Sequence, residues 1–185
     1  RINIYDEDLL GYTYCGNAYT NSNGDYELSI SNSTFLENGG IDVFIEVYPE
    51  SDHVSVVHCG IGNFSYISET TSNISSGQSV DKSHTFGNSS TRDRAYSVFQ
   101  AAEHSAQYVK DLSGNYLSHI VIEFPSLELF EWQVFGTCYV PILERMFIIA
   151  EDYADWDVVM HEYGHYISDK FGILNSEGGD HFSGD

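Results

Sequence analysis

Two histidines and a glutamate in the last third of the chain have the spacing of a metal-binding group. His161 and His165 stand four residues apart in the run His161-Glu162-Tyr163-Gly164-His165. On a helix, residues at this spacing lie on one face about one turn apart, so both imidazoles can bind one metal ion. Glu162 would lie beside the pair, where a carboxylate can accept a proton from water at the metal. The motif therefore predicts zinc ligands and a general base together.

The residues around this motif favour a single helix over residues 156–171. Asp155 can cap its N-terminus, because aspartate accepts hydrogen bonds from the first free backbone amides. Lys170 suits the negative end of the helix dipole, and Gly172 is a natural left-handed stop. The alternative is an ordinary amphipathic helix whose two histidines bind no metal.

The composition limits the possible partners. Seven basic residues against 28 acidic ones give a formal charge of −21, which argues against nucleic acid or an anionic membrane. A 42% hydrophobic content over 185 residues can fill one large domain or two small ones. No apolar run approaches the roughly 18 residues of a membrane-spanning helix. Arg1 does not begin a signal peptide, so we interpret the chain as a processed or excised piece.

Glycosylation motifs point to an extracellular protein, and the cysteines leave a disulfide open. Cys15, Cys59 and Cys138 form no CxxC pair, and two arrangements stay open: a Cys15–Cys59 disulfide, or three buried thiols. Four Asn-x-Ser/Thr motifs lie in polar stretches typical of loops. Their asparagines are Asn32, Asn63, Asn73 and Asn88.

Residues 1–86 show a β pattern. Apolar and polar residues alternate in residues 2–5 and strictly in residues 26–30, and longer strands are expected over 41–48 and 54–58. The run from Tyr19 to Leu28, with Asn23-Gly24-Asp25 at its turn, is similar to the turn and strand of carboxypeptidase-regulatory-like, or transthyretin-like, β-sandwich domains. The resemblance implies an accessory module without catalytic residues. Another seven-stranded sandwich is the alternative.

The pattern changes to a helical period after a linker at residues 87–93. A backing helix is expected from Ala95, with Asp93 as its cap and Gly114 just past its end, and His104 lies off its apolar stripe as a solvent histidine. Strands are expected at 118–124, at 139–140 and at 145–150.

This order of helix, strands and HExxH helix resembles the N-terminal half of a zincin catalytic domain. In that family the last strand before the active helix, here 145–150, is an exposed edge that pairs with an extended substrate. The alternative is that residues 145–150 form a core strand.

Zinc needs a third protein ligand besides His161 and His165. Ser168 and Phe171 stand where a metzincin has glycine and histidine, which excludes that class. The HEYGH run followed by Gly178-Gly179-Asp180-His181 resembles secreted bacterial gluzincin-type peptidases. That resemblance implies a glutamate ligand beyond Asp185, so the chain is expected to stop before the catalytic domain ends. His181 is a tentative third ligand instead.

The sequence thus predicts an α+β protein of two domains: a transthyretin-like antiparallel β-sandwich at 1–86, and a partial zincin-type α/β subdomain at 94–185. The predicted function is secreted, zinc-dependent hydrolysis of peptide bonds in peptide or protein substrates, with Glu162 as base. One alternative is an extracellular structural or adhesive module that self-associates through strand edges, with an inactive peptidase half. A weaker one is a glycan-binding module.

Overall fold

The computed structural model describes residues 1–9, 11–31, 40–126 and 136–173. Its contacts divide the chain into two compact units: one contains residues 1–48 and 65–85, and the other contains residues 49–64 and 86 onward. The first unit has an antiparallel sheet, and the second has a mixed sheet with two helices. The α+β class predicted from the sequence is therefore confirmed.

The described ranges contain ten strands, two helices and two short 3-10 turns. The strands are β1 (Ile2–Asp8), β2 (Gly11–Ala18), β3 (Ile41–Val47), β4 (Val54–His58), β5 (Gly62–Asn63), β6 (Tyr66–Ile67), β7 (Thr71–Ile74), β8 (Ile120–Glu123), β9 (Cys138–Val140) and β10 (Arg145–Phe147). The helices are α1 (Thr91–Ser113) and α2 (Trp156–Lys170), with short 3-10 turns at Pro141–Leu143 and Ala150–Ala154.

The first unit is built on β1, which lies between β2 and β3 in an antiparallel sheet, while β6 and β7 both pair with β3. One face of this sheet carries a cluster of buried isoleucines and valine: Ile2, Ile4, Ile41, Val43, Ile45 and Ile74. Residues 26–30 were predicted as a strand but have no strand pairing. Tyr26, Leu28 and Ile30 still pack against the cluster. Every second residue of this segment is apolar because its side chain covers one face of the sheet. The described part of this unit therefore has one sheet rather than the two of a sandwich.

The second unit has a five-stranded sheet in the order β5-β4-β8-β10-β9. Strands β4, β8 and β10 run parallel, and β5 and β9 pair antiparallel at the two edges. A single core joins this sheet to both helices, and its fully buried members include Val98 of α1, Ile122 of β8, Met146 of β10 and Val159 of α2. Helix α2 is thereby held against the sheet and α1.

Strand β4 corrects the predicted domain boundary. The sequence pattern placed residues 54–58 in an N-terminal sandwich ending at residue 86, but β4 pairs with β8 in parallel register from Val54↔Ile120 to Val57↔Glu123. Residues 65–85 then return to the first unit. Period-2 alternation identifies a strand without indicating its partner, which is why the pattern could not assign β4.

Strand β10 corrects the predicted substrate edge. The resemblance implied an exposed edge strand at residues 145–150, with a core strand as the alternative. Strand β10 lies between β8 and β9, and Met146, Phe147 and Ile148 are buried, which supports the core strand. The turn Pro141–Leu143 links β9 to β10 in a tight antiparallel hairpin. The outer position therefore belongs to β9.

Helix α1 begins earlier than its apolar stripe suggests. Ser90, not Asp93, is the N-cap, because the Asp93 backbone N–H donates to Ser90 Oγ at 3.1 Å. Asp93 lies in the first turn, where its negative charge suits the helix dipole. At the other end Gly114 adopts a left-handed conformation with φ 82°, as predicted.

The surface features bear on several other expectations. The three cysteines are thiols, so the Cys15–Cys59 disulfide is not formed. Asn63, Asn73 and Asn88 are exposed, and Asn32 lies outside the described residues. In the described ranges, no helix has the length and apolarity needed to cross a membrane.

Candidate metal centre

Helix α2 carries the motif and has the ends that the sequence predicted. Asp155 is the N-cap, and its Oδ1 accepts a hydrogen bond from the Val158 backbone N–H at 3.4 Å. Lys170 lies in the last turn, and Gly172 follows with a left-handed φ of 61°. Tyr163 and Tyr166 are fully buried and fix the rotation of the helix. That rotation decides where the neighbouring motif residues point.

The two histidines converge on one point. Nε2 of His161 and Nε2 of His165 are 3.1 Å apart, and the ring centroids are 4.8 Å apart with the rings nearly perpendicular at 83°. Two nitrogens bound to one tetrahedral zinc would be about 3.3 Å apart, from Zn–N bonds of about 2.05 Å. His161 is exposed and His165 is half-buried. The pair therefore has both the separation and the solvent access that a zinc ion requires.

Glu162 completes the group from the buried side. Its carboxylate, the imidazole of His161 and that of His165 offer ligand atoms that all lie within 4.8 Å of one another, so the three residues could hold a metal ion. Glu162 is only 3% exposed, and its Oε2 accepts a hydrogen bond from the Tyr139 backbone N–H at 2.8 Å. This contact joins the motif to the edge strand β9.

The environment of Glu162 favours a proton acceptor near neutral pH. Burial raises its pKa to about 7, against the lowering effect of the Tyr139 hydrogen bond, and the nearby Asp152 carboxylate raises it further. A general base works best when its pKa lies close to the working pH. A pKa of about 7 would suit this role, and the assignment of Glu162 as the base stays a prediction.

Asp152 is held in place by the segment before β9. Thr137 Oγ1 donates to Asp152 Oδ2 at 2.6 Å and accepts from the Ile149 backbone N–H at 3.1 Å. The Asp152 carboxylate, which lies near Glu162, is therefore held by Thr137 in the segment that precedes β9.

The third ligand is not decided by the described residues. Within those ranges the candidate metal-binding groups comprise His161, Glu162 and His165 alone. The tentative ligand His181 lies outside the described residues and stays a prediction. His104 is exposed on α1 with its ring 6.4 Å from that of Trp156, as expected of a histidine in solvent.

Tyr139 is a residue of the site that the sequence did not single out. It was interpreted only as part of a short strand, because its contact with Glu162 depends on β9 taking the sheet edge next to α2.

Comparison with protein-family models, with curated proteins and with solved structures gives no match for this chain.

Proposed function

We propose that this protein is a zinc-dependent hydrolase that cleaves peptide bonds. The observation that carries the proposal is the pair of Nε2 atoms 3.1 Å apart on α2, with the buried Glu162 carboxylate between their positions in the chain. Two imidazoles and an adjacent base are what zinc-assisted hydrolysis needs from one helix.

His161 and His165 would hold the metal, because neutral imidazole is a preferred zinc ligand. A bound zinc ion supplies a Lewis acid that lowers the pKa of water and polarises a carbonyl. Glu162 accepts the proton of the attacking water and passes it to the leaving amine. Its burial keeps competing solvent from the carboxylate.

The position of β9 supports a peptide substrate. This strand is the outer member of the described sheet on the side next to α2, and its Tyr139 amide points to Glu162. Because the Tyr139 N–H already donates to Glu162, an extended peptide would have to pair with the remaining backbone groups at this edge, which would bring a scissile bond alongside the base. Strand β9 thus takes the role that the sequence analysis gave to residues 145–150.

The wider context of the proposal comes from the resemblances. We infer a gluzincin-type catalytic unit, in which the third ligand is His181 or a residue beyond Asp185, and a transthyretin-like first unit. An extracellular location is supported by the exposed Asn63, Asn73 and Asn88.

The test is peptide hydrolysis by the whole chain with one equivalent of zinc, followed by mass spectrometry of a peptide mixture. The Glu162→Gln variant is expected to lose at least about a hundredfold in rate, since it removes the proton acceptor. Zinc content, measured by elemental analysis after gel filtration, should stay the same because the imidazoles remain.

Hydrolysis that survives in Glu162→Gln would show that Glu162 is not the base. A zinc-loaded wild-type chain that cleaves no peptide would reject the proposal in the form that has His181 as the third ligand. Concentration-dependent self-association in that case would instead favour the structural or adhesive alternative.

A further inference from the structure

Tyr139 lies in the middle of the edge strand β9, opposite Met146 of β10. Its backbone N–H donates to Glu162 Oε2 at 2.8 Å, and this contact is buried. The amide therefore points away from β10 and toward α2. A carboxylate that is bonded to a fixed backbone donor has few other positions available to it.

The side chain of Tyr139 contacts the same helix further along. Its hydroxyl donates to Asp169 Oδ2 at 2.8 Å, and its ring meets that of Tyr166 edge-on, with centroids 5.6 Å apart. Glu162, Tyr166 and Asp169 are separated by four and three residues, so they share one side of α2. One residue of β9 thus holds α2 along two turns.

The Tyr139 hydroxyl keeps its proton at neutral pH. Burial raises the pKa of Tyr139, and the hydrogen bond to the Asp169 carboxylate raises it further. The hydroxyl therefore stays a donor to Asp169 across the neutral range.

The other tie between this hairpin and α2 is exposed. Lys170 pairs with Glu144, whose side chain is 60% exposed. Exposed ion pairs contribute little and are screened by salt. Of these contacts, the one from the Tyr139 amide to Glu162 is buried and the one from its hydroxyl to Asp169 is part-buried. A small rotation or slide of α2 would strain both hydrogen bonds at once.

We propose that Tyr139 is a positioning residue for Glu162, whose carboxylate it holds through its amide and whose helix it holds through its hydroxyl at Asp169. The inference rests on the proposed function. The hydrogen bond from the Tyr139 hydroxyl to Asp169 fixes the distance between β9 and α2. At that distance the Tyr139 amide donates to the Glu162 carboxylate and holds it in place.

The test compares Tyr139→Phe with the wild-type whole chain in two measurements. The first is hydrogen exchange of the residue-139 amide, followed by NMR without added metal. We expect exchange about fivefold faster in the variant, because the loss of the Asp169 bond loosens the amide contact. Glu162→Ala, which removes the acceptor itself, should accelerate the exchange at least as much.

The second measurement is steady-state hydrolysis with zinc. Tyr139→Phe is expected to lower kcat about tenfold while KM changes less than about twofold, since misplacing a base affects the chemical step more than substrate binding. Asp169→Asn keeps an oxygen acceptor and should lie between wild type and Asp169→Ala. Zinc affinity should be the same in all of them.

Tyr166→Phe is the matched control. It removes the hydroxyl of another buried tyrosine, which contacts the Ser118 carbonyl at 2.5 Å and the Ser118 hydroxyl at 3.0 Å. It keeps the ring that sets the rotation of α2 and meets Tyr139. It should cost comparable stability and leave residue-139 exchange and kcat unchanged. Equal effects from Tyr166→Phe, or wild-type values in Tyr139→Phe, would overturn the inference.

Failure of the proposed function can be separated from failure of this inference. If the wild-type chain hydrolyses no peptide, the hydrolase proposal with His181 as third ligand falls, and the exchange measurement still decides whether Tyr139 holds Glu162. Unchanged exchange in Glu162→Ala would then overturn the role of Tyr139, and faster exchange would support it.

Discussion

Adjacent residues of one helix have opposite environments in this site. His161 is exposed, whereas Glu162 is 3% exposed, because each step along a helix turns the side chain by about 100°. The imidazoles therefore meet solvent, from which a metal and a substrate can arrive. The carboxylate faces the protein interior, where burial raises its pKa to about 7.

Replacing one of the two imidazoles tests the metal centre at the scale of a residue. His165→Ala is expected to weaken zinc binding by at least about a hundredfold, more than the loss of an outer partner of a ligand would. Isothermal titration or competition with a chelating dye measures the affinity.

His104→Ala is the control for that experiment. His104 is exposed on α1 and is not part of the candidate metal group, so its removal should leave zinc affinity unchanged. Equal affinity in His165→Ala and wild type would show that the metal binds elsewhere.

At the scale of elements, α2 is positioned by its neighbours as much as by its own sequence. Trp156 Nε1 donates to Ser97 Oγ of α1 at 3.2 Å, and Tyr139 of β9 bonds to Glu162 and Asp169. Helix α1 thus fixes the start of α2, and the edge strand fixes its middle and end. Correct placement of Glu162, the proposed base, depends on all three elements.

The N-cap of α1 can be tested by a single substitution. Ser90→Ala removes the acceptor of the Asp93 backbone N–H and should lower the free energy of unfolding by about 1 kcal/mol. Urea denaturation followed by circular dichroism measures the change. Gln100→Ala, at an exposed position within α1, should change it by less than about 0.5 kcal/mol. Equal values for the two variants would contradict the assignment of Ser90 as the cap.

At the scale of the whole molecule, the two units are interleaved along the chain. The chain leaves the first unit after residue 48, returns at residue 65 and leaves it again after residue 85. The excursion brings β4 and β5 into the second sheet. Residues 1–86 therefore hold the whole first unit together with β4 and β5 of the second, and residues 94–185 lack part of the second unit.

Because the two units are interleaved along the chain, a truncation can test whether β4 is needed for the second unit to fold. A fragment of residues 87–185 lacks β4, so β8 would lose a parallel neighbour, and the core would lose the buried Val54 and Val56. We expect this fragment not to fold, whereas residues 49–185 retain every element of the second unit and should fold.

Dispersion of amide signals in NMR spectra and cooperative thermal unfolding distinguish the two fragments. A sharp unfolding transition in the fragment 87–185 would show that β4 is dispensable. The predicted boundary would then be adequate as a folding boundary despite the observed sheet pairing.

Local features were predictable from the sequence because they depend on neighbours in the chain. The spacing of His161 and His165 placed both imidazoles on one face of a helix, and Asp155 and Gly172 marked its ends. Alternation identified β1, β3 and β4, although the same alternation at residues 26–30 belongs to a segment without strand pairing. Capping, helical spacing and alternation are short-range properties, so a sequence reports them directly.

The tertiary structure alone decided which elements meet. It paired β4 with β8, placed β10 inside the sheet with β9 outside it, and buried Glu162 against the Tyr139 amide. Residues 139 and 162 are 23 positions apart, and their contact depends on how the hairpin and α2 pack on a shared core. The sequence by itself determined the chemical groups of the centre, whereas packing between distant segments determined their burial and orientation, because those depend on neighbours that no local pattern encodes.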